Sequence, residues 1–259
     1  MIRIDLNADL GEGQAHDEAL FPLVTSANIA CGLHAGDADV MRASLERARR
    51  HGVAAGAHPG LADRAGMGRA ASSATPAQVF NVVVYQLGAL RAMSAALGVP
   101  LRHVKAHGTL YNSAMVQVPV ARAFCAAVRQ VTPDLVVFGL PASCLQAEAQ
   151  TAGLRFAAEA FLDRHYDDEG RLVPRTDPHA LVEAEPLAIA ARAVDLATLG
   201  RVTALSGRPL SLTVQTLCLH GDRAEVVSVA KEVRRALALA GVTLRAPDRH
   251  PGSADHAHG

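Results

Sequence analysis

Residues 26–58 read SANIACGLHAGDADVMRASLERARRHGVAAGAH, and this stretch decides the fold. An apolar strand pattern at 26–31 is followed by a helical pattern at 37–51, which Asp37 can cap and Gly52 can end. A second apolar strand pattern follows at 53–57. Strand, helix and strand in this order are typical of a βαβ unit, whose two strands lie parallel in one sheet.

The same unit recurs along the whole chain. Strand patterns lie at 2–8, 26–31, 53–57, 102–106, 134–139, 154–160 and 212–219, and helical patterns lie at 37–51, 76–97, 116–130, 142–152, 185–199 and 222–240. About seven such units favour an α/β fold of one irregular (β/α) barrel of the TIM type, with seven strands, over two domains. We expect the barrel to span residues 1–246 and a flexible tail to span 247–259; an open doubly wound sheet is the alternative.

Composition excludes several classes of partner. Lys+Arg and Asp+Glu are both 25 and aromatic residues make up 3%, so the chain offers neither a basic field nor stacking platforms for nucleic acid. The chain begins without the apolar core of a secretion signal, and no stretch reaches the roughly 18 apolar residues of a membrane helix. The four cysteines form no CxxC pair, as expected for reduced thiols. We therefore expect a soluble, cytoplasmic protein.

Polar side chains follow most of the strand patterns. Because ligands collect at the carboxyl ends of parallel strands in either architecture, these residues are the candidate site. The candidates are Asn7, Asp9, Glu12, Asn28, His34, His58, Arg69, Lys105, His107, Tyr111, Asn112, Glu159, Arg164 and His220. Any one of them could merely anchor a loop or cap a helix. Four histidines at the same end of different strands nevertheless indicate one shared site.

Such a ring of carboxylates and imidazoles allows two kinds of chemistry. It could hold a divalent metal that activates water, with Asp9, His34, His58 and His107 as ligands. It could also work without metal, one group taking a proton from water while Lys105 holds an anionic oxygen. Neither HExxH nor CxxC occurs, so the spacing does not decide between the two.

Lysine is rare in this chain. Of the 25 basic side chains only Lys105 and Lys231 are lysines, so Lys105 invites a specific role, which we expect to be handling an anion. We expect Lys105→Ala to cost activity and to leave folding intact. Neither lysine lies in a GxxxxGK[ST] loop, so any nucleotide must bind by another route.

Six motifs carry a resemblance to a known family. They are DLNADLGEG (5–13), SANIACGLHAGD (26–37), GAHPGLADRAGMGR (56–69), VKAHGTLYN (104–112), EAFLDRHYDDEGRLVPR (159–175) and TLCLHGD (216–222). In order and spacing they resemble the motif series of the LamB/YcsF family, from residue 2 to about residue 246. Two positions depart from it: Ala106 stands where proline is expected, and Leu61 stands where an aromatic residue is usual.

The resemblance implies a fold and an activity. Members of the family are the A subunit of the prokaryotic 5-oxoprolinase, which works with the B and C subunits to open 5-oxoproline to L-glutamate at the expense of ATP. Their fold is similar to the seven-stranded barrel of glycoside hydrolases and polysaccharide deacetylases. The expected cofactor is therefore ATP. Whether a divalent metal, magnesium or zinc, also binds is left open. Whether the chain also forms a homo-oligomer is left open.

The resemblance also suggests roles for the ring. We expect catalytic work, which includes orienting water, binding a metal and moving protons, from Asp9, Glu12, His34, His58, Lys105 and His107. We expect substrate or phosphate binding from Asn7, Asn28, Arg69, Tyr111, Asn112, Glu159, Arg164 and His220. Two alternatives stay open: a stand-alone metal-dependent hydrolase or deacetylase acting on a saccharide, and a non-catalytic scaffold subunit.

Overall fold

The computed structural model describes residues 1–182, 185–221 and 225–248. Residues 249–259, which make up most of the expected tail, and the predicted helix start at Asp222 lie outside the described residues. The strands, in chain order, are β1 (Arg3–Leu10), β2 (Ser26–Ala30), β3 (Ala54–His58), β4 (Leu101–Lys105), β5 (Val136–Gly139), β6 (Arg155–Phe161), β7 (Arg201–Thr203), β8 (Pro209–Ser211), β9 (Thr216–Leu219) and β10 (Thr243–Leu244).

Seven parallel strands close into a barrel. The strands β1 to β6 pair in sequence order, β6 pairs with β9, and β9 pairs with β1 to complete the circle. β10 adds a short parallel pairing to the start of β1, and β7 with β8 forms a separate antiparallel hairpin. The predicted barrel is therefore confirmed and the open doubly wound sheet is wrong. The seventh predicted strand, 212–219, is shorter than expected because it begins at Thr216.

Helices surround the barrel, most of them where the sequence predicts them. They are α1 (Asp17–Leu20), a 3-10 turn (Phe21–Leu23), α2 (Ala38–His51), α3 (Pro76–Ala96), α4 (Gly108–Val116), α5 (Val118–Val131), α6 (Cys144–Thr151), α7 (Pro186–Leu199) and α8 (Val226–Leu239). Asp37 caps α2 by accepting from the backbone N–H of Val40, and Gly52 ends that helix in the left-handed conformation. The short helix α4 was not predicted.

The barrel interior is polar. Period-two alternation along β1 turns Leu6, Ala8 and Leu10 one way, and Asp5, Asn7 and Asp9 the other way. The second set bonds across the barrel, since the Asn7 amide donates to Glu159 Oε1 at 2.9 Å and to Thr216 Oγ1 at 2.7 Å. In such a polar interior, hydrogen bonds between side chains can connect the barrel centre to the carboxyl ends of the strands.

Within the described residues, one helix, α3, is long and apolar enough to cross a membrane by length and composition. This is weak evidence for a membrane span, because core helices of globular proteins share that composition. In the structure α3 packs along α5, and Gln86 on its inner face bonds to both backbone groups of Gly60, next to the end of β3.

Candidate active site

Four buried side chains converge at the carboxyl end of the barrel. Glu12 lies just after β1, His34 after β2, His58 at the end of β3 and His107 after β4. Glu12 Oε1 lies 3.0 Å from His107 Nδ1, 3.2 Å from His34 Nε2 and 3.7 Å from His58 Nε2. We call these four residues the histidine cluster. The sequence placed all four in one ring, and the structure brings them together.

Backbone carbonyls set the tautomers in the histidine cluster. His58 Nδ1 lies 2.8 Å from the carbonyl oxygen of Lys105, and His107 Nε2 lies 2.7 Å from that of Met67. A carbonyl oxygen only accepts, so each of these nitrogens carries a hydrogen. In the neutral rings His58 Nε2 and His107 Nδ1 are then unprotonated, and they face each other at 2.9 Å. The lone pairs of these two nitrogens and the Glu12 carboxylate oxygen would repel one another, so a shared proton or a cation must lie between them.

The pKa values show where a proton resides if the cluster holds no cation. Burial lowers the pKa of His34 to about 4, against the opposing effect of Glu12. Burial likewise lowers the pKa of His107. Burial would also lower the pKa of His58, but the charges of Asp9 and Glu12 raise it above its ordinary value. His58 is therefore the imidazole that most readily carries the extra proton.

Two glycines make room for the imidazoles. A Cβ on Gly60 would lie 2.5 Å from His34 Nδ1, and one on Gly68 would lie 2.8 Å from His107 Cδ2. Gly68 also adopts a φ of +66°, which side chains rarely tolerate. The packing of the cluster therefore requires glycine at both positions. A side chain at residue 60 would collide with the His34 ring, and one at residue 68 would collide with the His107 ring.

Lys105 is buried beside the cluster. Its Nζ lies 2.9 Å from Glu159 Oε1 and 3.1 Å from Asp9 Oδ1, and Cys218 Sγ is 3.0 Å away. Burial would lower the pKa of Lys105, but Asp9 and its other acidic neighbours raise it well above the ordinary value. Lys105 is therefore a fixed positive charge between two carboxylates.

The other predicted residues in the barrel interior hydrogen-bond to the carboxylates that flank Lys105. Tyr111 donates to Glu159 Oε2 at 3.0 Å. Asn28 donates to Asn7 Oδ1 at 2.7 Å and to Asp9 Oδ1 at 2.8 Å. Asn7, Asn28 and Glu159 thus hold Asp9 and Lys105 in place, which is a positioning task.

A further buried residue in this network, His103, was missed by the sequence analysis. Its Nε2 lies 2.7 Å from Asn28 Oδ1, and its ring stacks on Phe138. The available signal was the period-two spacing of His103 and Lys105 in β4 and of His107 just after it, since extended chain with this spacing turns all three to the same side.

A cavity of about 220 Å³ opens against this machinery. Asp9, His58, Lys105, His107 and His220 line it together with Tyr111, Asn112, Phe161 and three arginines, Arg69, Arg164 and Arg175. Arg164 is 4% exposed and donates to the carbonyl oxygens of Val173 and Ala180, so its charge also holds the chain around it. Asn112 is exposed at the edge. Arg175 was not among the predicted site residues.

One small cavity is lined by both proton acceptors and positively charged groups. Carboxylate and imidazole acceptors can take a proton from water, while ammonium and guanidinium groups stabilise an anion. Within the described residues, some predicted site residues line the cavity, and others lie in the barrel interior and hold the cavity-lining side chains in place. Glu12 and His34 belong to the histidine cluster, whose other two members, His58 and His107, line the cavity.

Comparisons with known proteins agree with the fold and the motifs. The sequence profile of the LamB/YcsF family matches residues 4–251. The chain is 45% identical over 248 residues to the 5-oxoprolinase A subunit of Bordetella pertussis, covering 94% of this chain and 98% of that protein. It is 45% identical over 251 residues to the 5-oxoprolinase A subunit of Tolumonas auensis, covering 95% of this chain and 100% of that protein.

Solved structures show the same likeness. The lactam utilization protein from Thermus thermophilus superposes with a TM-score of 0.88 at 41% identity, covering 95% of this chain and 100% of that chain. A structure of the T48 deacetylase reaches a TM-score of 0.50 at 13% identity over 94% of this chain and 87% of that one, a likeness of fold alone. With its motifs in order and a family match that spans the barrel, the chain belongs to the LamB/YcsF family.

Proposed function

We propose that the chain is the A subunit of an ATP-dependent 5-oxoprolinase, which hydrolyses 5-oxo-L-proline to L-glutamate while ATP is cleaved to ADP and phosphate. The observation that carries the proposal is the small cavity in which the histidine cluster and Asp9 face Lys105 and the arginines. Relatives named as A subunits of 5-oxoprolinase, similar over nearly their whole length, support it. We place this activity in the cytoplasm.

The chemistry of a five-membered lactam matches these groups. The lactam is a poor electrophile, so phosphorylation of its amide oxygen would activate the carbonyl carbon. Water then adds and the C–N bond breaks to give an acyl phosphate, and a second water releases phosphate and leaves the carboxylate. Negative charge develops at each step, and preorganised cations on the cavity wall stabilise it. Arg69 is placed to bind the substrate carboxylate or the phosphoryl group, and Lys105 acts by keeping Asp9 ionised and in place.

The histidine cluster fits a divalent cation. Three imidazoles and one carboxylate match the ligand types that zinc prefers, and the two lone pairs that meet at 2.9 Å need a positive charge between them. We propose Glu12, His34, His58 and His107 as its ligands. Asp9 is left out, because the group whose ligand atoms lie close enough to share one cation is Glu12, His34, His58 and His107, while Asp9 groups with Cys218 and His220. A bound cation would supply Lewis acidity and lower the pKa of bound water.

ATP dependence is proposed for the enzyme assembled with its B and C subunits. The cavity, at about 220 Å³, is smaller than the roughly 300–1,000 Å³ typical of sites for drug-sized ligands. It suits a lactam carrying a phosphoryl group better than a whole nucleotide. We therefore expect most of the nucleotide to bind outside this cavity.

Glutamate release tests the proposal directly. The chain alone, and the chain together with the B and C subunits, are incubated with 5-oxoproline in the presence and absence of ATP. We expect glutamate and ADP in equal amounts only when ATP and all three subunits are present. Absence of glutamate under every condition would overturn the assignment.

A second candidate is a stand-alone metal-dependent hydrolase or deacetylase acting on a saccharide, which the histidine cluster favours. Stoichiometric bound zinc together with ATP-independent release of acetate from an acetylated oligosaccharide would support it. The non-catalytic scaffold alternative predicts that alanine at His58 or His107 leaves turnover of the complex unchanged. The burial of so many ionisable groups around one cavity argues against that outcome.

A further inference from the structure

Asp163 and His220 form a buried pair in which His220 has so far been given only a binding role and Asp163 none. Asp163 follows β6 and is 1% exposed, while His220 follows β9 and is 8% exposed. His220 Nδ1 lies 3.0 Å and 2.9 Å from the two carboxylate oxygens of Asp163. The backbone N–H of His220 also donates to Asp163 Oδ2, at 3.0 Å. The pair therefore links two neighbouring strand ends at two points.

The pair determines which ring nitrogen faces the cavity. An ionised carboxylate only accepts hydrogen bonds, so the nitrogen that faces it, Nδ1, carries the hydrogen. Burial would raise the pKa of Asp163, but the charge and hydrogen bonds of His220 hold it well below the ordinary value. Phe161 stacks on the imidazole, with ring centroids 5.4 Å apart and planes at 18°, which fixes the plane of the ring.

The free nitrogen is directed toward the reacting groups. His220 lines the cavity, and its Nε2 lies 3.8 Å from Asp9 Oδ2. Three guanidinium groups, those of Arg164, Arg175 and Arg192, act on Asp163. Lys105 binds the other oxygen of Asp9, Oδ1. An imidazole with one nitrogen fixed by a carboxylate and the other open to substrate has the arrangement of a proton-transfer group.

We propose that Asp163 is a positioning residue that holds His220 in the Nδ1–H tautomer, so that Nε2 exchanges protons with the bound lactam and its attacking water. This rests on the proposed function. As water oxygen bonds to the carbonyl carbon of the O-phosphorylated lactam, one water proton passes to Nε2. When the C–N bond breaks, Nε2–H returns that proton to the departing ring nitrogen, which becomes an amine, while the added hydroxyl loses its proton and re-forms a carbonyl. The product of this step is an acyl phosphate, from which a second water releases phosphate and leaves glutamate. Asp163 stays ionised throughout.

The first experiment reads the tautomer, which a merely structural role would not control. Chains labelled with ¹⁵N-histidine are compared by NMR, and His220 is assigned by its loss in His220→Gln. We expect a single Nδ1–H tautomer in the unaltered chain. In Asp163→Asn we expect a mixture, because the amide can donate to Nδ1 as well as accept from it. Asp167→Asn, the same change at a half-exposed aspartate of this segment, should leave the signal unchanged.

The second experiment measures turnover by the complete complex. Asp163→Asn should lower kcat by about 10²- to 10⁴-fold, the range for general acid–base groups, with little change in KM. In the His220→Gln background the same substitution should cause no further loss. An Nε2–H tautomer in the unaltered chain, or an unchanged kcat in folded Asp163→Asn, would overturn the inference. If the unaltered complex releases no glutamate, the proposed function fails, while the tautomer measurement still tests the positioning.

Discussion

Lys105 and Lys231 are the same residue in two opposite settings, and this contrast yields a prediction. Lys105 is 2% exposed between Asp9 and Glu159, whereas Lys231 is exposed on α8. Lys105→Met leaves two carboxylates buried without their cation, which should lower the free energy of unfolding by about 3–5 kcal/mol. Lys231→Met should change it by less than about 0.5 kcal/mol. Urea unfolding at neutral pH measures both.

This burial revises the expectation that Lys105→Ala leaves folding intact. Stability and activity should fall together, so turnover must be measured where the variant is still folded. Equal unfolding free energies for Lys105→Met and Lys231→Met would contradict the view that Lys105 balances the barrel charges.

Asp5 should make stability depend on pH. Burial raises its pKa to about 6 from 3.8, although hydroxyls of Thr25, Ser26 and Thr216 bond to it and oppose the shift. A carboxyl with a raised folded pKa contributes stability that is fully present below pH 3.8 and is lost as the pH rises through about 6. Relative to Asp5→Asn, the unaltered chain should therefore lose about 3 kcal/mol between these values.

The measurement is urea unfolding of both chains between pH 4 and pH 7. Exposed Asp134→Asn serves as the control for the loss of one negative charge. A difference between the chains that does not change with pH would show that Asp5 titrates alike in the folded and unfolded states.

For single residues, the sequence was sufficient where a residue's place relative to a strand end determined whether it belonged to the site. Strand-end placement was enough to group Glu12 with its three histidines. The partners of a residue were harder to predict: Asp163 lies just past the sixth strand pattern, 154–160, yet nothing in its sequence neighbourhood indicated a bond to His220. That bond depends on β6 and β9 lying side by side, and these strands are separated by a long connection.

Two glycines show how elements differ in what they tolerate. Gly108 begins α4 with φ +54°, and an added Cβ would lie 2.4 Å from the carbonyl oxygen of Gly68. Gly88 lies in the middle of α3, where nothing is within 4 Å of such a Cβ. Gly108→Ala should therefore destabilise the chain by at least about 1–3 kcal/mol, and Gly88→Ala should stabilise it by about 0.5–1 kcal/mol.

Thermal unfolding of both variants checks this pair. Gly108→Ala should also reduce turnover, because it pushes on the loop whose Met67 carbonyl fixes the tautomer of His107. The same sign of stability change for both variants would refute this account of the α4 start.

Helices with clear capping signals were predictable, whereas α4 and the β7–β8 hairpin were not. The capping signals of α2 and α3 lie in the sequence itself, and both helices form within a residue of the expected bounds. α4 was missed because its nine residues mix polar site groups with buried Leu110 and Met115, which leaves no clear apolar stripe. The hairpin of β7 and β8 has three residues per strand, too few to show alternation.

At the scale of the whole molecule, the repeated strand–helix pattern was sufficient to predict the barrel, because seven parallel strands with covering helices have few compact arrangements. The part of the polar interior that the sequence displays directly is the period-two alternation of Asp5, Asn7 and Asp9 along β1. To predict that the polar interior continues through Glu159 and Tyr111, one must know which strands face each other across the barrel. The sequence does not give this, because it depends on how the closed barrel is assembled.

The closure of the barrel also bears on how the chain is made. β1 leaves the ribosome well before its partners β9 and β10, which lie more than 200 residues later in the chain. At about 5–20 residues per second, translation leaves one edge of β1 without β9 for roughly ten seconds or longer. Asp9 therefore lies on an open strand edge during this time, and such an edge can pair with other nascent chains. Cells that produce this subunit should depend on chaperones more during its synthesis than after release.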